Sequence, residues 1–130
     1  MPPERFLPDD PREWLRRADS NLAQARSTRA GICREDLCFQ AQQAVEKALK
    51  ALLLARGARP PYTHDLATLL RLVEKSGETV PQGIERVVRL TDYAVETRYP
   101  GLFEPVTQAE LREAQSLASR CVAWVRGKIA

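Results

Sequence analysis

The run FQAQQAVEKALKALL, residues 39–53, decides the fold. Ala41, Ala44, Val45, Ala48, Leu49 and Leu52 recur at three- and four-residue steps, the spacing of one apolar helix face. Leu37 extends that face, and the helix is predicted from Glu35 to Arg56. Glu35 and Asp36 fall in its first turn and Arg56 in its last, an order that complements the helix dipole. So wide a stripe predicts packing against more than one neighbour. Gly57 is the expected stop, and Pro60 and Pro61 stiffen the loop that follows.

Working outward, each flank reads as helix too. Met1 to Pro8 is expected to be a flexible arm, with three prolines in eight residues. Asp10, Pro11 and Glu13 form a helix-start signal: N-cap, first-turn proline and the third-residue acid of a capping box. Trp14, Leu15, Ala18, Leu22 and Ala25 then mark an inner face, and Gly31 is the predicted end. Asp65 is placed to cap a short helix carrying Leu66, Leu69, Leu70 and Val73, closed by Ser76 and Gly77. A fourth helix is predicted from Pro81, with Ile84, Val87, Val88, Thr91 and Ala94 on one side and a Glu85–Arg89 pair on the other. Tyr99, Pro100 and Gly101 break the chain, because the residue before proline avoids the α region. TQAE, residues 107–110, opens the last helix as a capping box, followed by Leu111, Ala114, Leu117, Ala118, Cys121, Val122 and Val125. No segment alternates as a strand. The expected fold is all-α: an antiparallel up-and-down four-helix bundle with an additional short helix, formed by residues 1–130 as a single domain.

Composition agrees. A chain of 130 residues with 44% apolar and 28% charged side chains is long enough for one independent core. Aromatics are only 6%. The longest apolar run, Ala51 to Ala55, is far short of a membrane span, and MPPERFLPDDP lacks a signal-peptide core. A cytoplasmic location is the expectation. The net charge is +3, and arginine supplies 16 of the 20 basic residues. Arginine forks onto phosphate or carboxylate, so an anionic partner is allowed, although no dense basic tract marks nucleic acid. Cys33, Cys38 and Cys121 form no CxxC pair. Cys121 lies on an apolar stripe, and an odd count argues against a disulfide framework. A zinc site using His64 lacks recognisable ligand spacing, and neither metal nor cofactor is expected.

Three groups of polar residues could carry chemistry. Gln42 and Glu46 share one face of the central helix, and Gln43, Lys47 and Lys50 an adjacent one. They could pair across a dimer seam or hold a polar ligand, but residue type alone favours a solvated face. His64, the sole histidine, precedes a helix start, where N–H groups attract anions and an imidazole can exchange protons near neutral pH. The stronger reading from the residues is structural, with Asp65 as the cap and His64 bracing the loop. Arg98 and Tyr99 sit at the Tyr-Pro-Gly break. There Arg98 could bond helix-end carbonyls, an inward Glu46 or phosphate, and Tyr99 could stack on a base. Both roles stay open. No phosphate-cradling glycine loop or hydrolase motif is present.

FQAQQAVEKALKALL, then THDL (residues 63–66), then ETRYPG (residues 96–101) before a final amphipathic helix resembles the prokaryotic HEPN domain family. The resemblance spans helix 1 to the last helix. It implies a small helical bundle that homodimerises and partners a minimal nucleotidyltransferase, often as a toxin–antitoxin pair, and helps to present nucleotide or RNA. Arg98, Tyr99 and His64 would then form a nucleotide or anion pocket, with Gln42, Gln43 and Glu46 lining the seam. Other members are metal-independent endoribonucleases marked by Arg, four to six residues, then His on a late helix. Here the positions after Arg98 are Phe103, Glu104 and Pro105, so the late-helix motif is unmatched. Arg59 to His64 matches literally but lies in the proline-rich loop, where it reads as coincidence. The ribonuclease alternative would rest on His64 with Arg59 or Arg98, and otherwise no catalytic residue is assigned.

Overall fold

The computed structural model describes residues 5–94 and 105–129, all of them in helices or loops. Four α-helices are formed: α1 (Pro11–Ala25), α2 (Arg34–Ala55), α3 (Leu66–Lys75) and α4 (Gln108–Ile129). A 3-10 segment, η1 (Ile84–Ala94), stands between α3 and α4. The fold is all-α, as the apolar periodicity requires. α2 is the axis of the molecule and packs against every other element. Its predicted stripe, Leu37, Ala41, Ala44, Val45, Ala48, Leu49 and Leu52, is buried throughout. Each leucine so buried contributes roughly 2 kcal/mol before entropy is counted.

Helix ends follow local chemistry. Asp10 caps α1 by accepting the Arg12 N–H at 2.9 Å, and Pro11 takes the first position. The predicted capping box is only half made. The Asp10 N–H already donates to the Leu7 carbonyl at 2.9 Å, so Glu13 turns to the Phe6 N–H at 3.0 Å instead. Residues 5–8 are thereby tied to α1, with the Trp14 Nε1–H donating to the Pro8 carbonyl at 2.8 Å. α1 stops at Ala25 rather than near Gly31. The Gln115 side chain on α4 donates to the Ala25 carbonyl at 2.9 Å, which satisfies the helix end early.

α2 ends as predicted at Gly57, whose φ of 79° suits glycine. The Gly57 and Ala58 N–H groups close back onto the Leu54 and Leu53 carbonyls at 3.0 and 2.9 Å. Arg56 follows the helix as its C-cap, and its guanidinium pairs with Glu78. At α4 both arms of the predicted box form, Thr107 N–H to Glu110 at 3.0 Å and Glu110 N–H to Thr107 at 3.1 Å.

The segment expected to be a fourth α-helix is the main difference. Ile84, Val87 and Leu90 are its large buried residues. They recur at every third position, the period of a 3-10 helix with about three residues per turn. Leu90 therefore joins the inward side, where Val88 packs half-buried against the core and Ala94 is buried as expected. The same winding moves residues four apart off a common face, so Glu85 and Arg89 do not pair. Glu85 accepts from the Gly83 N–H at 2.7 Å, and Arg89 reaches Glu113 on α4 at 2.7 Å. Thr91 instead accepts the Leu66 N–H at 3.2 Å, joining η1 to the start of α3. Among the described residues, no helix is long and apolar enough to cross a membrane.

Candidate functional site

The polar residues of α2 are not a solvated face. Gln42, Glu46 and Lys50, each one turn from the last, are 0%, 4% and 7% exposed. Burial of a charge is costly unless it is paired and hydrogen-bonded, and here pairing is complete. Glu46 Oε1 accepts from Gln42 Nε2 at 3.1 Å, and Glu46 Oε2 accepts from Lys50 Nζ at 3.0 Å. Gln43 Nε2 donates to Gln42 Oε1 at 2.7 Å and brings the row to the half-buried edge. Among the described residues, every buried side-chain nitrogen and oxygen is partnered.

The row meets solvent at His64. Its Nδ1 lies 2.7 Å from Glu46 Oε1, while the side chain is 62% exposed. Burial pushes the Glu46 carboxyl up, but the His64, Gln42 and Lys50 contacts outweigh it and hold the group below its ordinary value. Glu46 is therefore ionised near neutral pH and acts as an acceptor. That assigns the proton of a neutral His64 to Nδ1 and leaves Nε2 with its lone pair. The loop is braced as the sequence suggests. Asp65 caps α3 by accepting from the Ala67 N–H at 3.1 Å, and the Asp65 N–H donates to Thr63 Oγ1 at 3.1 Å. The geometry can present a fixed imidazole with a buried carboxylate behind it.

A second row runs beside the first. Lys47 Nζ donates to Asn21 Oδ1 at 2.8 Å, and Asn21 Nδ2 to Gln40 Oε1 at 2.6 Å. Burial lowers the Lys47 pKa, with Arg17 adding like-charge repulsion. Lys50 thus leaves the face expected to be shared with Gln43 and Lys47 and turns to Glu46. The four-residue Glu46–Lys50 spacing was the signal for this pair. Asn21 and Gln40 gave none, because their meeting depends on how α1 packs on α2. Arg98, Tyr99, Glu96, Phe103 and Glu104 lie outside the described residues. Arg59 is exposed in the loop before His64.

Cysteine chemistry is quiet. Cys38 and Cys121 are buried, Cys33 is exposed, and no described group of His, Cys, Asp or Glu could hold a metal ion.

The comparisons with known proteins converge. The family model described as "HEPN domain" matches residues 11–128. A crystal structure of TT1696 from Thermus thermophilus superposes with a TM-score of 0.80 at 35% identity, covering 91% of this chain and 97% of that one. ST0689, described as an archaeal HEPN homologue, gives a TM-score of 0.74 at 28% identity, covering 93% and 98%. No curated protein matches. With a family model running from the first helix to the last, the chain belongs to the HEPN domain family.

Proposed function

We propose that this chain is a HEPN-type helical binding module that homodimerises and partners a minimal nucleotidyltransferase in the cytoplasm, presenting nucleotide or RNA to it. The observation that carries this reading is the Glu46 row. A buried charge pair stabilises a fold little better than apolar residues of the same volume, so its value lies in what it fixes. It fixes His64, at the exposed end. In this reading His64 combines with Arg98 and Tyr99 as the nucleotide or anion pocket. Gln43 edges the dimer seam, with Gln42 and Glu46 behind it.

The test is a native pull-down from the source cell with this chain as bait, followed by mass measurement of the intact complex. A small nucleotidyltransferase in fixed ratio is expected, and a bare homodimer would overturn the partnership. Arg98→Ala should remove nucleotide binding without moving the melting temperature. A lowered melting temperature with no nucleotide binding in either protein would mark a plain scaffold.

One contact favours a second reading, a metal-independent endoribonuclease of a toxin–antitoxin pair. Glu46 behind Nδ1 leaves His64 Nε2 to take a proton from a ribose hydroxyl, with Arg59 or Arg98 for the phosphate. His64→Ala should then abolish RNA cleavage in metal-free buffer, and unchanged cleavage would sink the idea.

A further inference from the structure

Where the end of α1 meets α4, an open groove of about 390 Å³ is lined by Arg26 and Thr28 from the loop after α1 and by Arg112, Gln115, Ser116 and Ser119 from α4. No lining residue is acidic or aromatic. Arg26 and Arg112 are exposed, and neither side chain has an ion pair among the described residues. The acids nearest to them in sequence turn elsewhere. Glu113 pairs with Arg89 at 2.7 Å, Glu110 accepts from the Thr107 N–H at 3.0 Å, and Asp19 pairs with Arg126. Two guanidinium groups thus face solvent side by side with polar, uncharged neighbours and no carboxylate set against them.

The rest of the lining sorts the candidate anions. Thr28, Ser116 and Ser119 carry hydroxyls that both donate and accept, and none of the three hydroxyls bonds another described group. Gln115 donates to the Ala25 carbonyl at 2.9 Å and keeps Oε1 as an acceptor. A phosphodiester offers acceptors only and would leave that half of the lining unused. An extended peptide offers N–H and C=O groups alternately along its length. Single-stranded bases are held by stacking on aromatic side chains, and the groove has none. The end of α1 is also the negative end of its dipole, which penalises a doubly charged phosphate more than a singly charged carboxylate. The dimensions suit a short strand. From Arg112 to Ser119 α4 rises about 10 Å at 1.5 Å per residue, a span that about three extended residues cover. Alternate side chains of such a strand point the same way, so acids two apart share one side.

We infer that this groove docks an extended acidic segment of a partner protein. Arg26 and Arg112 fork onto carboxylates of alternate residues, and the Thr28, Ser116 and Ser119 hydroxyls bond the segment's backbone. The surface shares no residue with the His64 end of the Glu46 row and does not rest on the nucleotidyltransferase partnership.

Titration calorimetry of the full chain with end-blocked hexapeptides tests it, the probes being alternating Glu-Ser, Gln-Ser and Lys-Ser. The Glu-Ser peptide should bind with a Kd below about 1 mM, and the other two should show no binding at that concentration. Arg26→Gln and Arg112→Gln should each weaken the Glu-Ser peptide about five- to tenfold. Both arginines are exposed and unpaired, so the melting temperature should stay in place. Arg86→Gln removes an exposed charge on η1 outside the groove and should leave the affinity unchanged, which separates docking from general attraction to a chain of net charge +3. Hexauridylate, wherever it binds, should be unmoved by the two groove variants. The inference fails if the Glu-Ser peptide does not bind at millimolar concentration, or if the Gln-Ser or Lys-Ser peptide matches it. It also fails if Arg86→Gln weakens binding as much as the groove variants do. Loss of hexauridylate binding in Arg26→Gln or Arg112→Gln would overturn it in favour of an RNA surface.

Discussion

Glu46 shows what one side chain contributes by being hard to bury. It is covered by its own chain and surrounded by Gln42, Lys50 and His64. Removing the carboxylate strands the Lys50 ammonium in a low-dielectric setting, so Glu46→Ala should cost about 3 kcal/mol, read by urea denaturation. The double variant Glu46→Leu with Lys50→Met removes both charges and should recover most of that loss. A double variant no more stable than Glu46→Ala would show that the cost was not the stranded charge. The pH dependence has a definite sign. The folded-state pKa of Glu46 is depressed below the ordinary 4.5. Its contribution is therefore whole above that value and is lost as pH falls through the folded-state value. The stability gap between the wild type and Glu46→Gln should close in acid. A gap that stayed constant through the carboxylate range would mean that Glu46 is not ionised in the fold.

Helix ends give the next level, and one of them is left unfinished. Cys33 is the N-cap of α2, yet its side chain makes no capping bond, whereas Asp10 and Asp65 both cap their helices. Cys33→Asp should therefore stabilise the protein by roughly 0.5–1 kcal/mol, by accepting a first-turn N–H and by setting negative charge against the helix dipole. An unchanged denaturation midpoint would show that this end is satisfied by solvent. Conversely, Asp65→Ala should cost about 1 kcal/mol and loosen the His64 loop. The caps and stops that could be read from sequence were those built from neighbours in the chain: Asp10, Asp65, Gly57 and the Thr107–Glu110 box. What could not be read depended on elements meeting. The Ala25 carbonyl is claimed by Gln115 from α4, which shortens α1. η1 winds tightly, although Ile84, Val87, Val88 and Thr91 fit an α-helical face equally well as a string. The polar row failed to show itself for the same reason. Glu46 and Lys50 are ordinary helix formers, and only the packing of α2 against all its neighbours makes them buried.

α2 also sets how the molecule opens as a whole. Because every other element leans on it, no flank should detach without exposing core, and the cysteines can report this. Cys38 on α2 and Cys121 on α4 are fully buried, whereas Cys33 is exposed. Burial pushes the Cys38 thiol up to about 11 and the Cys121 thiol up to about 12, so neither is a thiolate near neutral pH. A disulfide reagent such as Ellman's should therefore label one thiol rapidly in the native protein and two slowly, and all three at once in denaturant. The slow pair carries the information. If opening is global, Cys38 and Cys121 react at one shared rate, and that rate falls when a stabilising change such as Cys33→Asp is introduced into the protein. If α4 opens by itself, Cys121 reacts ahead of Cys38. Separate rates would show that α2 with α1 forms a stable unit onto which α4 docks, and that the bundle is less cooperative than a single shared axis implies.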